Sequence, residues 1–390
     1  MWHGIFTLKE RILIKEVVLM LLDFSAAFDT IDHRMLLERM KTYYGISGIV
    51  LKWFSSYLEN RTHVVKINNT TSSIFSDKLG VPQGSVIGPL TFTMYTAPMA
   101  DVIRSHGVNV MLYADDTQLY VMFNKSQCED SLEVLRACIS DVKIWAVNNK
   151  LSLNESKTEI LHFTLKFRRE QHLSNVNVGD SQIEPVPCAR NLGVIFDQHM
   201  TMKDHVKSVC KSAMAGIRSI GKIRGFLFKK AALTLIHAFV TSRLDNCNSL
   251  LIGLPENDLH RLQMIQNTAA RLVTRTSRHH SISKTLKKLH WLTVNKRIMF
   301  KILLITYKAQ HGFSPSYLAD LLEQYTPSRT LRSSNQALQS TPKINTQFYG
   351  GRAFSAVAPS LWNRLPKSIK EAPTTATFKS LLKTHLFTSK

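Results

Sequence analysis

Two adjacent carboxylates, Asp115 and Asp116, interrupt an apolar stretch that reads VNVMLYADDTQLYVMF. The runs on either side, 108–113 and 117–123, are rich in Val, Leu, Tyr, Met and Phe, the pattern of strand, tight turn and strand. A hairpin that carries two like charges at its tip calls for a cation nearby. Mg²⁺ answers that description, since it takes oxygen ligands and usually binds through one or two carboxylates plus substrate phosphates. A solvated Asp-rich turn is the plainer alternative, and the pair alone does not separate the two.

The charge of the chain narrows the choice. Its formal net charge is +22, and the excess is confined to one part of the sequence. Residues 1–160 hold 16 Lys and Arg against 17 Asp and Glu, whereas residues 161–390 hold 34 against 11. Such asymmetry points to a polyanionic partner, most simply nucleic acid, with a membrane surface as the weaker option. At 390 residues, 44% hydrophobic and 20% charged, the chain is long enough for two or three folded domains and is not disordered in composition. Its five cysteines (Cys128, Cys138, Cys188, Cys210 and Cys247) fall in no zinc spacing, as expected of a reduced intracellular protein. The apolar run 17–22 is far below the ~18 residues of a membrane span. No small-residue cleavage site follows it, so it reads as a buried strand and not as a signal peptide.

Along the chain, the strand at 17–22 ends at Asp23 and DHRMLLERMKTYY follows with helical spacing. A Gly/Pro-rich turn then runs into an apolar helix over 79–99, followed by the hairpin. Leu132, Leu135, Ile139, Val142 and Trp145 share one helical face, with Asn148 and Asn149 as a stop. LSLNESKTEILHF reads as turn and strand, and NLGVIFD as a further short strand. This order predicts an α/β (α+β) domain with helices backing an antiparallel sheet. From about 201 the chain becomes helical and basic. Lys203, Lys207, Lys211, Arg218 and Lys222 fall on one arc of a helix, opposite Val206, Val209, Ala213, Ile217 and Ile220. Such a helix can pack on a core while tracking a phosphate backbone, although an ordinary solvated face has the same pattern. A second helix near 258–276 repeats the theme with Arg271, Arg275 and Arg278.

Asp23 ends a buried strand, where it either caps the following helix or joins Asp115 and Asp116. If strand and hairpin are neighbours in one sheet, three carboxylates converge at one edge. That cluster can hold two metal ions about 3.5–4 Å apart for an in-line phosphoryl transfer. Ser85 is not a hydrolase nucleophile, because Gln83-Gly84-Ser85 lacks the Gly-x-Ser-x-Gly frame.

LLDFSAAFDTIDH, GVPQGSVIGPLTF, YADD, LSLNESKTEI and NLGVIFD resemble motifs A to E of a reverse transcriptase, in order and spacing. The resemblance is to non-LTR (LINE-type) retrotransposons, nearest the vertebrate group that includes L2, CR1 and Rex1 elements. Two later stretches, SRLDNCNSLLIGLP and LWNRLPKSIKEAPTTATFKSLL, resemble the C-terminal part of those reading frames.

The resemblance implies a right-hand polymerase palm over 1–200, a helical thumb-like region over 201–280 and a basic C-terminal region of unassigned role over 281–390. It makes Asp23 and Asp115 the principal ligands of two Mg²⁺ ions (Mn²⁺ as substitute), with Asp116 in support. Phe24 would offer its backbone to the triphosphate. Phe28 would be the aromatic gate against a 2′-hydroxyl, its alternative being a core Phe. Pro82, Gln83 and Gly84 would lie against the incoming nucleotide and template base, the glycines allowing close backbone approach. Lys157 would protonate the leaving pyrophosphate, and Asn191-Leu192-Gly193 resembles the primer-grip hairpin. The basic arc from Lys203 to Lys222 would follow the product duplex through phosphate contacts.

The expected partners are an RNA template, a DNA primer, their duplex and dNTPs, with no membrane; the expected location is the nucleus. Motif A begins some twenty residues into the chain. The expectation is therefore an N-terminally truncated polymerase whose fingers are largely missing. Two functions stay open: RNA-directed DNA polymerase, or a catalytically weak or silent nucleic-acid-binding remnant.

Overall fold

β1 (Glu16–Leu22) is apolar almost throughout because both of its faces are covered: every residue but Leu21 is buried. In the computed structural model, which describes residues 16–82, 84–164, 173, 175–178, 181–326, 337–344 and 350–389, β1 is central in a four-stranded antiparallel sheet. Its companions are β2 (Asn109–Tyr113), β3 (Asp116–Phe123) and β4 (Glu159–Phe163), in the order β4-β1-β3-β2. The register sets Leu22 opposite Thr117 on one side and Leu21 opposite Glu159 on the other. The end of β1 and the start of β3 therefore meet at one edge.

Helices cover one face of this sheet. They are α1 (His33–Thr42), α2 (Gly48–Leu58), α3 (Gly88–Thr96), α4 (Met99–Ser105) and α5 (Cys128–Asn148). Leu132, Leu135, Ile139 and Val142 of α5 share one core with Val18 and Met20 of β1, and Trp145 packs against it. The helix stops before Asn149, as its sequence predicts. The apolar block after the Gly/Pro turn is not one helix: Pro98 separates α3 from α4, where its ring and missing N–H end the first. Arg39 of α1 ties the layer together. Its guanidinium lies 4.5 Å from the Tyr95 ring centroid and donates to the Tyr95 carbonyl and to Asn149 Oδ1.

The chain divides into two compact units at 192/193. Leu192 and Gly193, with φ of 47° and 83°, form the tight turn at that junction between strands Cys188–Asn191 and Val194–Asp197. NLGVIFD is thus a turn with strand on either side and not a single strand.

The second unit is helical, built on α6 (Lys203–Ile223), α7 (Glu256–Thr274), α8 (Val294–Gln310), α9 (Phe354–Asn363) and α10 (Thr375–Thr388). Its late residues make a core of their own, with the Tyr307 and Phe378 rings 4.2 Å apart and Trp362 only 1% exposed. The predicted arginine series on α7 does not form. The helix ends at Thr274, and Arg275 turns to φ 53° so that its guanidinium reaches the Arg224 carbonyl.

Candidate active site

Three backbone devices bring the carboxylates together. The first is strand pairing, which sets Asp23, one residue past Leu22, beside the start of β3 at Asp116. The second is the β2–β3 turn. Tyr113 pairs with Asp116, leaving Ala114 and Asp115 as a two-residue loop, with Ala114 at φ 51°. Ala26, just past Asp23, is also left-handed at φ 48°. A non-glycine residue pays for that conformation in steric strain, and two of them flank this cluster. The third device holds the segment after α5. Phe24 and Ser25 pair with Leu153 and Ser152, and the Asn154 N–H donates to the Asp23 carbonyl at 2.8 Å.

That third device places Lys157 Nζ 3.5 Å from Asp23 Oδ2. The carboxyl of Asp116 lies above the ordinary carboxylate range, first through partial desolvation and then through the charges of Asp115 and Asp23. Asp116 thus senses the charges of the other two acids. All three offer only oxygen, the donor set of a hard divalent cation, and their repulsion is what such an ion relieves. Among the described residues, no three His, Cys, Asp or Glu groups are already gathered as a metal cage. The cluster fits a cation by chemistry and mutual repulsion, with Asp23 shared between that role and Lys157.

A cleft of about 160 Å³ opens beside these groups, lined by Asp23, Asp116, Gln118, Lys157, Glu159 and Arg190 among others. Its floor is fixed by a buried hydrogen bond from Gln118 Nε2 to Asn191 Oδ1, 2.9 Å long. Gln118 and Arg190 escaped the sequence reading. Nothing in the local pattern of QLYV or CARN announces them, since only the fold brings them to the carboxylates. Asp23 does not cap α1. Asp32 does, accepting the Met35 N–H at 3.0 Å.

The Phe28 corner is built separately within the same unit. The Gly80 N–H donates to the Ile31 carbonyl (2.7 Å) and the Val81 N–H to the Phe28 carbonyl (2.8 Å). His33 Nε2 meets the Gly80 carbonyl at 2.6 Å. These bonds carry the turn that includes Pro82 and Gly84 up to Phe28. Gly80 makes the close backbone approach here: at φ 84°, a Cβ would stand 2.8 Å from the Asp29 carbonyl oxygen. Gly84 needs its glycine for φ 83° alone, because a Cβ there would meet nothing within 4 Å. Gln83 lies outside the described residues.

Phe28 is half-buried and rests on Phe92 of α3, ring centroids 5.0 Å apart. Phe24 has its side chain in the core, so only its backbone is left for a ligand. Ser85 has structural work: its Oγ accepts the Gly88 N–H and the Tyr57 hydroxyl, each at 2.9 Å. In the second unit, Lys203, Lys207, Lys211, Arg218 and Lys222 are all exposed on α6, while Val206, Ala213, Ile217 and Ile220 are buried.

Residues 4–196 match the family described as reverse transcriptase (RNA-dependent DNA polymerase). The "Probable RNA-directed DNA polymerase from transposon BS" of Drosophila melanogaster is 26% identical over 270 residues, covering 65% of this chain and 28% of that protein. The "RNA-directed DNA polymerase from mobile element jockey" of Drosophila funebris is 29% identical over 194 residues, covering 48% and 20%. The chain therefore spans under a third of the length of these relatives. Among solved structures, the apo telomerase of Candida Tropicalis aligns over 76% of this chain and 50% of its own at 11% identity, with a TM-score of 0.40. That likeness is too distant to bear on the site. Family match and relatives agree with the five motifs and the sheet that carries them: over residues 4–196 the chain is similar to reverse transcriptases, and its curated relatives are RNA-directed DNA polymerases of mobile elements.

Proposed function

We propose that this chain catalyses RNA-directed DNA synthesis, adding dNTPs to a primer 3′-hydroxyl. The reading rests above all on the meeting of Asp23, Asp115 and Asp116 at one sheet edge, where Asp116 is held above the ordinary carboxylate range. Asp23 and Asp115 would hold two Mg²⁺ ions, or Mn²⁺ in their place, with Asp116 in support. When bound, such ions activate the attacking oxygen and stabilise the leaving one.

The protein's own groups supply the rest. Lys157, 69% exposed and 3.5 Å from Asp23, is free to swing toward the departing pyrophosphate and give it a proton from Nζ. The Phe28 ring, steadied by Phe92, would sit under the sugar and exclude a 2′-hydroxyl. The Phe24 backbone would face the triphosphate. Pro82, Gln83 and Gly84 would meet the nucleotide and template base, on a turn that Gly80 locks against Asp29. The unit up to about 200 would be the palm. α6 would be the thumb, its exposed lysines reading phosphate without regard to sequence. The region over 281–390 would be a basic C-terminal region without an assigned role. A nuclear site goes with priming on chromosomal DNA; no described helix is long and apolar enough to cross a membrane.

Primer extension on poly(rA)/oligo(dT) with Mg²⁺, comparing this chain with Asp115→Asn, tests the reading. Extension by the parent and not by the variant is expected. Equal signals from both would overturn synthesis and leave nucleic-acid binding as the function.

A further inference from the structure

On α2, Ile49, Trp53 and Tyr57 recur every four residues, and Arg61 continues the series just beyond the helix. The neighbouring face of the helix is spent on the core through Phe54 and Leu58, and the Trp53 ring meets Phe54 edge-on. The outer stripe is covered only at its far end: Ile49 is 85% and Trp53 54% exposed, while Tyr57 is half-buried against that core. Its members are nevertheless ordered against one another. The Trp53 and Tyr57 rings stack with centroids 5.8 Å apart and planes 9° from parallel. The Arg61 guanidinium lies 4.7 Å from the Tyr57 centroid, held there by an Nε bond to the Tyr57 carbonyl at 2.8 Å. The Tyr57 hydroxyl, donating to Ser85 Oγ, fastens the ladder to the turn that carries Pro82 and Gly84.

We infer that this ladder is a stacking platform for the unpaired bases of single-stranded nucleic acid, the RNA template on the reading above. Every base has a π-face, so parallel rings ending in a guanidinium receive bases without regard to sequence. The surrounding charge suits the phosphates. Residues 48–82 carry Lys52, Arg61, Lys66 and Lys78 against Glu59 and Asp77, in a half of the chain that is otherwise balanced. Asp77 is engaged by His63 and Glu59 by the Ser55 hydroxyl. Among the described residues Lys52, Lys66 and Lys78 have no acidic partner. An apolar protein partner would cover Ile49 and Trp53 but would leave these three lysines without use. The platform rests on the nucleic-acid reading and not on catalysis, because nothing in it requires the carboxylates.

Fluorescence anisotropy separates base stacking from phosphate contact. The probes are a labelled single-stranded RNA and an abasic strand of equal length, measured in EDTA without dNTPs. The parent protein should bind the base-bearing strand about tenfold more tightly or better. Trp53→Ala should erase that preference and Trp53→Phe should keep most of it, both melting as the parent does because the indole lies outside the core. Parent-like RNA affinity in Trp53→Ala overturns the proposal. So does a Trp53→Ala protein that keeps RNA affinity but passes from dimer to monomer in sedimentation, which would give the stripe to a second copy of the chain. Failure of the polymerase reading would show in primer extension alone and leave this measurement standing.

Discussion

The carboxylate edge of the sheet and the lysine face of α6 are both proposed to meet phosphate, yet they are built in opposite ways. At the sheet edge, strand register, two left-handed alanines and a hydrogen bond from Asn154 to Asp23 fix each acid through the backbone. On α6, one helix carries five exposed cations whose long side chains are free to move. Chemistry on a bond needs groups held to a fraction of an ångström, so it recruits strain and long-range pairing. Contact with a phosphate backbone needs charge at roughly the right spacing, and a solvated helix face supplies it.

The sharpest break in this comparison is kinetic. Asp115→Asn should lower the rate of primer extension at saturating template by about 100-fold or more, as loss of a preorganised electrostatic group does. Replacing Lys203, Lys207 and Lys211 together by Gln should leave that saturated rate within a few-fold. A triple variant as slow as Asp115→Asn would place the α6 lysines in the chemistry and end the distinction.

Glycines report the same contrast in stability. Gly80→Ala forces a Cβ to 2.8–3.0 Å from Asp29 backbone atoms at φ 84°, and should cost about 2–4 kcal/mol in urea unfolding. Gly221 lies inside α6, where a Cβ would meet nothing within 4 Å. Gly221→Ala should therefore stabilise the helix by about 0.5–1 kcal/mol. Equal signs for the two substitutions would mean that the turn beside Phe28 is no tighter than a helix surface.

What the sequence shows and what it hides divide along the same line. Periodicity reveals α5 and α6, since the burial of Leu132, Ile139, Val206 and Ile217 follows directly from the spacing of apolar residues. The hairpin with Asp115 in its turn is legible for the same reason. Left-handed alanines are not legible, because Ala26 and Ala114 have no local preference for that conformation and are driven there by the sheet. Nor is the choice between Gly80 and Gly84, which depends on Asp29 arriving from far along the chain. The arginine series at 271, 275 and 278 misleads because a helical spacing of four and three is visible where the end of α7 is not. Arg190 and Gln118 belong to this class too, placed by strands with no signal of their own.

Salt dependence measures the helix side of the comparison. Each phosphate contact releases condensed counterions, so log affinity falls with log salt in proportion to the number of contacts. The triple lysine variant should flatten that slope by about 2–3 units on an RNA–DNA duplex. Asp115→Asn should leave it unchanged. A slope untouched by the loss of Lys203, Lys207 and Lys211 would make the face of α6 an ordinary solvated one.

The smallest expected effect tests whether the acids repel one another in the metal-free protein. The Asp116 carboxyl is raised in the folded state by desolvation and by Asp115 and Asp23, so its ionised form opposes folding. That opposition is absent at pH values below the ordinary carboxylate range. It sets in as the pH rises from that range through the raised folded value, and it is complete above it. Asp116→Asn should accordingly melt at a slightly higher temperature than the parent at neutral pH in EDTA, and with no advantage near pH ~3, where the carboxyl is protonated in both states. Mg²⁺ should raise the melting temperature of the parent, since an ion bound only by the folded state stabilises it by mass action, and should raise that of the variant less. Should Asp116→Asn melt below the parent at neutral pH, the carboxylate would be held by a favourable contact, and the repulsion that invites a cation to this edge would have to arise between Asp23 and Asp115 alone.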